Sequence, residues 1–129
     1  MAALFLHIIR SYYPGIIFGL IILAISVAPV SGEGRPLIFS FPGSDKVVHS
    51  IIYCVFTILL TRDYLRYNPL KWIRLLFFLL AILGYSIIIE VIQLSLTSYR
   101  SGELLDVVAN LAGISIGAGA VLLYRKIKS

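Results

Sequence analysis

Charge is what this sequence has least of. Only 13% of its 129 residues are Asp, Glu, Lys or Arg, whereas 60% are hydrophobic. Soluble domains run at roughly 45 to 50% apolar residues and about 25% charged ones, so this balance and a mean hydropathy of +0.99 argue against a soluble fold. Cysteine is almost missing as well: Cys54 is the single one, and neither a disulfide nor a thiolate metal site is indicated. No H-E-x-x-H or comparable ligand spacing occurs, so the sequence gives no support for a metal or cofactor; a metal variant would have to use His49, Glu90 and Asp106. Basic residues do not interleave with aromatics away from the ends of the apolar runs, which argues against a nucleic-acid partner.

What is present is apolar sequence in long blocks, the pattern of a membrane protein. Four blocks can be read, at residues 12–30, 45–61, 71–96 and 104–124. A span needs roughly 20 apolar residues. The second block is short by that measure, so its first turn, with Asp45, Lys46 and His49, is expected in the interfacial part of the membrane. Pro36, Pro42 and Gly43, then Asn68 and Pro69, then Ser101 and Gly102 punctuate the blocks. One all-α domain over residues 1–129 is expected, an integral membrane four-helix bundle of antiparallel neighbours. The first block also has some features of a secretory signal, with Arg10 before it and Val30-Ser31-Gly32 after it. Its run exceeds the usual 7 to 15 residue core of such signals, and a retained helix is the better reading.

The basic residues set an orientation. Arg10, Arg62, Arg66, Lys71, Arg74, Arg125, Lys126 and Lys128 flank one side of the expected spans, eight in all, against three on the other, Arg35, Lys46 and Arg100. The positive-inside rule therefore places both termini and the second loop in the cytoplasm. The net charge of +5 reads as a topology signal, with anionic membrane lipid as a partner.

That orientation sends the start of helix two, the end of helix three and the start of helix four to the outer face. Polar residues fall at those three places. His49 lies roughly 6 Å into helix two and Glu90 roughly 9 Å below the end of helix three, and Asn110 is one turn below Asp106. Asp45 and His49, Asp106 and Asn110, and Glu90 and Gln93 are spaced three or four apart, so each pair shares a face. A stripe of Ser86, Glu90, Gln93 and Thr97 on helix three belongs in the bundle interior, where ionisable groups in spans nearly always point. Gly15 and Gly19, and Gly113 and Gly117, are G-x-x-x-G pairs and read as packing seams. Plainer roles compete: Asp45, Glu103 or Asp106 as helix caps, Arg100 as a solvated loop charge, and Glu90, His49 and Asn110 as a structural polar knot.

Taken together, "DKVVHSIIYCVF" from Asp45, "EVIQ" from Glu90 and "YRSGELLDVVANLAGISIG" from Tyr99 resemble the VanZ-like family of small bacterial membrane proteins. The family pattern of D-K-x-x-H, E-x-x-Q, and R followed by D-x-x-x-N-x-x-G falls on Asp45, Lys46 and His49, on Glu90 and Gln93, and on Arg100, Asp106, Asn110 and Gly113. The resemblance covers residues 45–124 and implies a multi-pass protein of the bacterial inner membrane. Its founding member raises tolerance to teicoplanin, so a glycopeptide-resistance role is implied; no reaction is. Two function classes stay open. In the first, Asp45, Lys46, Gln93, Arg100 and Asn110 help bind a lipid-linked or peptidoglycan-type envelope component, or a glycopeptide, with the cations meeting phosphate or carboxylate. In the second, His49, Glu90 and Asp106 are catalytic, acting as general acid and base on an envelope lipid. The oligomeric state is not readable from the sequence.

Overall fold

The computed structural model describes residues 1–28, 42–96 and 104–129. Among these residues there are four helices and no strand: α1 (Ala2–Val27), α2 (Ser44–Tyr67), α3 (Trp72–Leu96) and α4 (Leu104–Lys128). Each is long and apolar enough to cross a membrane. At 1.5 Å per residue, 24 to 26 residues make about 36 to 39 Å, more than the roughly 30 Å of a hydrocarbon core. The outside of the bundle is apolar: Leu20, Ile21, Ile73, Phe77, Ile88, Val91 and Ile116 are all exposed. Such continuous apolar surface belongs against lipid rather than water.

Three helices extend beyond their apolar blocks, α4 among them by a turn to Lys128. α1 begins at Ala2, so Arg10 lies on the exposed side of a helix and not in a tail. Pro14 sits inside α1 without ending it. α2 runs on to Tyr67 because Arg62, Asp63 and Arg66 lower hydropathy without lowering helix propensity much. Its start is set by Gly43, which occupies the N-cap position with φ of 82°, a left-handed conformation that glycine adopts without steric cost. The Gly43 carbonyl accepts from the amides of Lys46 and Val47 at 3.1 and 3.2 Å. Asp45 is thus a first-turn residue, not the cap.

Antiparallel packing holds for α1 and α2, where Gly15 faces Leu60 and Gly19 faces Phe56. The most extensive contact, between α2 and α4, runs the other way. Gly113 lies against the Ser50 carbonyl and Gly117 against the Cys54 carbonyl, so the partner number rises with the glycine number and the helices are parallel. A Cβ on Gly117 would stand 2.6 Å from the Cys54 oxygen, and one on Gly113 would collide with Ser50. Glycine at both positions lets the backbones touch, the role small residues play between membrane helices. Below the polar end, Ile22, Tyr53, Phe56, Ile82 and Ile114 pack into a core to which all four helices contribute. Tyr64 and Phe78 stack between α2 and α3 at 4.5 Å, and the Tyr85 hydroxyl donates to the Gly19 carbonyl.

Candidate functional site

The start of α2, the end of α3 and the start of α4 meet at one end of the bundle, and their polar residues meet with them. The α2–α4 seam sets the register: with Gly113 on Ser50, the residue one turn nearer the end on α4, Asn110, comes opposite His49. His49 Nδ1 lies 3.1 Å from Asn110 Oδ1 and 3.3 Å from Glu90 Oε1. Asn110 Nδ2 donates to the same Glu90 oxygen at 3.4 Å. One imidazole, one carboxamide and one carboxylate, each from a different helix, therefore share a single point. Both oxygens facing Nδ1 are acceptors, so the tautomer with hydrogen on Nδ1 satisfies them.

A turn nearer the helix ends, Lys46 Nζ stands between two carboxylates, 3.2 Å from Asp45 Oδ2 and 3.6 Å from Asp106 Oδ1. The second distance is an ion pair longer than a hydrogen bond. Side-chain exposure falls along this line, from 60% at Asp45 and 28% at Lys46 to 22% at His49 and 5% at Glu90, and Asn110 is fully buried. The cluster has a mouth at the helix ends and a floor in the core. Gln93, one turn above Glu90 on α3, is buried on the same side.

Glu90 uses only half of its carboxylate within the described residues, where Oε2 is buried and accepts no hydrogen bond. A buried acceptor of this kind costs about 1 to 3 kcal/mol or more if it stays unpaired. His49, Glu90 and Asp106 also present ligand atoms no two of which are further apart than 4.8 Å. Of the residues singled out from the sequence, Asp45, Lys46, His49, Glu90, Asp106 and Asn110 come together here with Gln93 alongside; Arg100, with Glu103 and Thr97, lies outside the described residues.

Sequence reasoning passed over a second polar set. Tyr53, Thr57 and Thr61 are buried on α2 with hydroxyls that have no hydrogen-bond partner among the described residues. The signal was available, since His49, Tyr53, Thr57 and Thr61 recur every four residues along one helix ridge. Asp63, near the other end of α2, is buried too and takes two hydrogen bonds on Oδ1 from the Arg62 guanidinium, at 3.0 and 3.1 Å. Its hydrogen bonds are with its own chain neighbour.

Four lipid-length helices, an apolar exterior and a polar cluster gathered at one end define a multi-pass membrane protein. Residues 16–125 match the VanZ/LLP1 family, and the chain belongs to that family. Nothing matches among curated proteins, and nothing among solved structures.

Proposed function

We propose that the cluster at the shared end of α2, α3 and α4 binds the polar headgroup of a cell-envelope lipid at the outer face of the bacterial inner membrane. The observation that carries this reading is a buried carboxylate, Glu90, with one oxygen unpartnered among the described residues, at the floor of a cluster whose mouth holds the Lys46 ammonium. A ligand that brings both an anion and hydrogen-bond donors suits it. Phosphate meets Lys46, and hydroxyl or amide groups of a linked sugar or peptide reach Glu90 and Asn110. Arg100 supplies a second cation by the family pattern. Lipid-linked precursors of the cell wall have this chemistry, and a change in their availability is how such a protein would bear on glycopeptide tolerance. The apolar outer faces of α3 and α4 offer the lipid chain a place beside the bundle.

The distribution of basic residues, eight against three, supports an external mouth. With Cys54 replaced by Ser, a single Cys at position 35 or 100 is expected to react with a membrane-impermeant thiol reagent added outside the cells. Reaction from the cytoplasmic side alone would place the site on the wrong face for this role. For the ligand, the purified protein in nanodiscs is expected to gain thermal stability from a short-chain polyprenyl phosphate, as any ligand selective for the folded state confers. The matching polyprenol should give no such gain, and Lys46→Ala should abolish it. Equal effects of phosphate and alcohol would refute headgroup binding.

A catalytic reading is favoured by one feature, the 3.3 Å approach of His49 Nδ1 to Glu90 Oε1. A carboxylate that holds the Nδ1 hydrogen leaves Nε2 to act as a base. Turnover of a polyprenyl phosphate or its pyrophosphate by the purified protein, lost in His49→Gln, would move the protein from binder to enzyme.

A further inference from the structure

Three carboxylates gather at the polar end of the bundle. Asp45, Glu90 and Asp106 supply them, with the Lys46 ammonium and the His49 imidazole beside them. Glu90 Oε2 is buried and accepts no hydrogen bond among the described residues. Carboxylates in a low-dielectric site are held there by pairing or by a metal ion.

We infer that His49, Glu90 and Asp106 form a binding site for one divalent transition-metal cation, a site that stands independently of the headgroup reading. The three donors come from three helices, and their ligand atoms lie within 4.8 Å of one another. His49 Nδ1 and Glu90 Oε1 are already 3.3 Å apart, about the edge that two bonds of roughly 2.0 to 2.1 Å subtend at a tetrahedral angle. Asp106 completes the set within that 4.8 Å limit from the first turn of α4. An imidazole with two carboxylates is a mixed nitrogen and oxygen set, suited to Zn²⁺ and its first-row neighbours more than to Ca²⁺ or Mg²⁺.

Asn110 positions this set. Its Nδ2 donates to Glu90 Oε1 at 3.4 Å, and ligating carboxylates are commonly held by such a donor. When the cation binds, neutral His49 takes the other tautomer: the Nδ1 hydrogen is given to solvent, Nε2 takes one up, and the Nδ1 lone pair becomes a ligand. Lys46 is the competitor. Its ammonium rests 3.6 Å from Asp106 and 3.2 Å from Asp45, so it can give up Asp106 and keep Asp45.

Zinc titration of the tag-free protein in phosphatidylcholine nanodiscs tests this without any polyprenyl ligand. Saturable binding of one Zn²⁺ per chain is expected. Glu90→Gln and Asp106→Asn should each weaken it by more than the roughly 10- to 100-fold that loss of a merely supporting partner costs, and Lys46→Met should tighten it. Failure of zinc to bind, or binding unchanged in both carboxylate variants, would overturn the site. Should those variants not fold, X-ray absorption of Co²⁺ on the wild-type chain decides: a shell with imidazole nitrogen and carboxylate oxygen supports the site, and a shell of oxygen alone overturns it. Because Lys46→Met is expected to lose the polyprenyl phosphate and keep the metal, failure of the headgroup reading and failure of this one give different results.

Discussion

The contact between α2 and α4 has two parts that differ in kind. In the lower part Gly113 and Gly117 press against the carbonyls of Ser50 and Cys54, backbone against backbone, with the Thr57 side chain beside Gly117. In the upper part Lys46 and His49 reach across to Asp106 and Asn110, and Glu90 joins from α3. The lower part fills space; the upper part leaves a buried carboxylate oxygen without a partner among the described residues. The difference separates a seam that sets register from a cluster that the register assembles.

The comparison breaks most severely at the seam. Gly113→Leu forces a side chain into the backbone of α2, and overpacking that cannot be relieved by a rotamer exceeds the usual 1 to 3 kcal/mol cost. Loss of folded protein is expected, seen as aggregation in detergent size-exclusion chromatography, with every function of the cluster lost as a consequence. Glu90→Gln and Asp106→Asn should behave differently. Gln keeps an acceptor for Asn110, so its stability change is expected below about 1.5 kcal/mol in thermal unfolding, while glycopeptide susceptibility of cells that depend on the protein shifts as far as in a deletion. The smallest effect belongs to Gly84→Ala. Nothing lies within 4 Å of a Cβ at that position, so stability should hold or rise by up to about 1 kcal/mol from helix propensity, and susceptibility should not move. A large loss there would show that the glycine contacts described for the seam are not what makes Gly113 critical.

Much of this was legible in the residues. Length and hydropathy of the apolar blocks give the four helices, and helical spacing puts Ser86, Glu90 and Gln93 on one buried face, as it does Asp106, Asn110, Gly113 and Gly117. Partner choice was not legible. Spacing says which residues share a face but not which helix that face meets, so the parallel pairing of α2 with α4 could not be read from short loops that suggest antiparallel neighbours. The ends of α1 and α2 were misjudged because hydropathy falls at Arg10 and at Arg62, whereas the helical hydrogen bonds continue to Ala2 and Tyr67. Tyr53, Thr57 and Thr61 escaped notice because each looks unremarkable in an apolar run; their four-residue spacing from His49 and their burial without partners among the described residues mark them.

Glu90→Gln, followed in nanodiscs by thermal unfolding with and without a short-chain polyprenyl phosphate, tests the functional claim most directly. The wild-type protein should be stabilised by the phosphate. The variant should unfold close to the wild-type temperature and show no stabilisation, because its fold rests on the seam and its ligand on the cluster. Full stabilisation of the variant by the phosphate, or a collapse of its unfolding temperature as deep as that of Gly113→Leu, would contradict the account and make the polar cluster part of the scaffold.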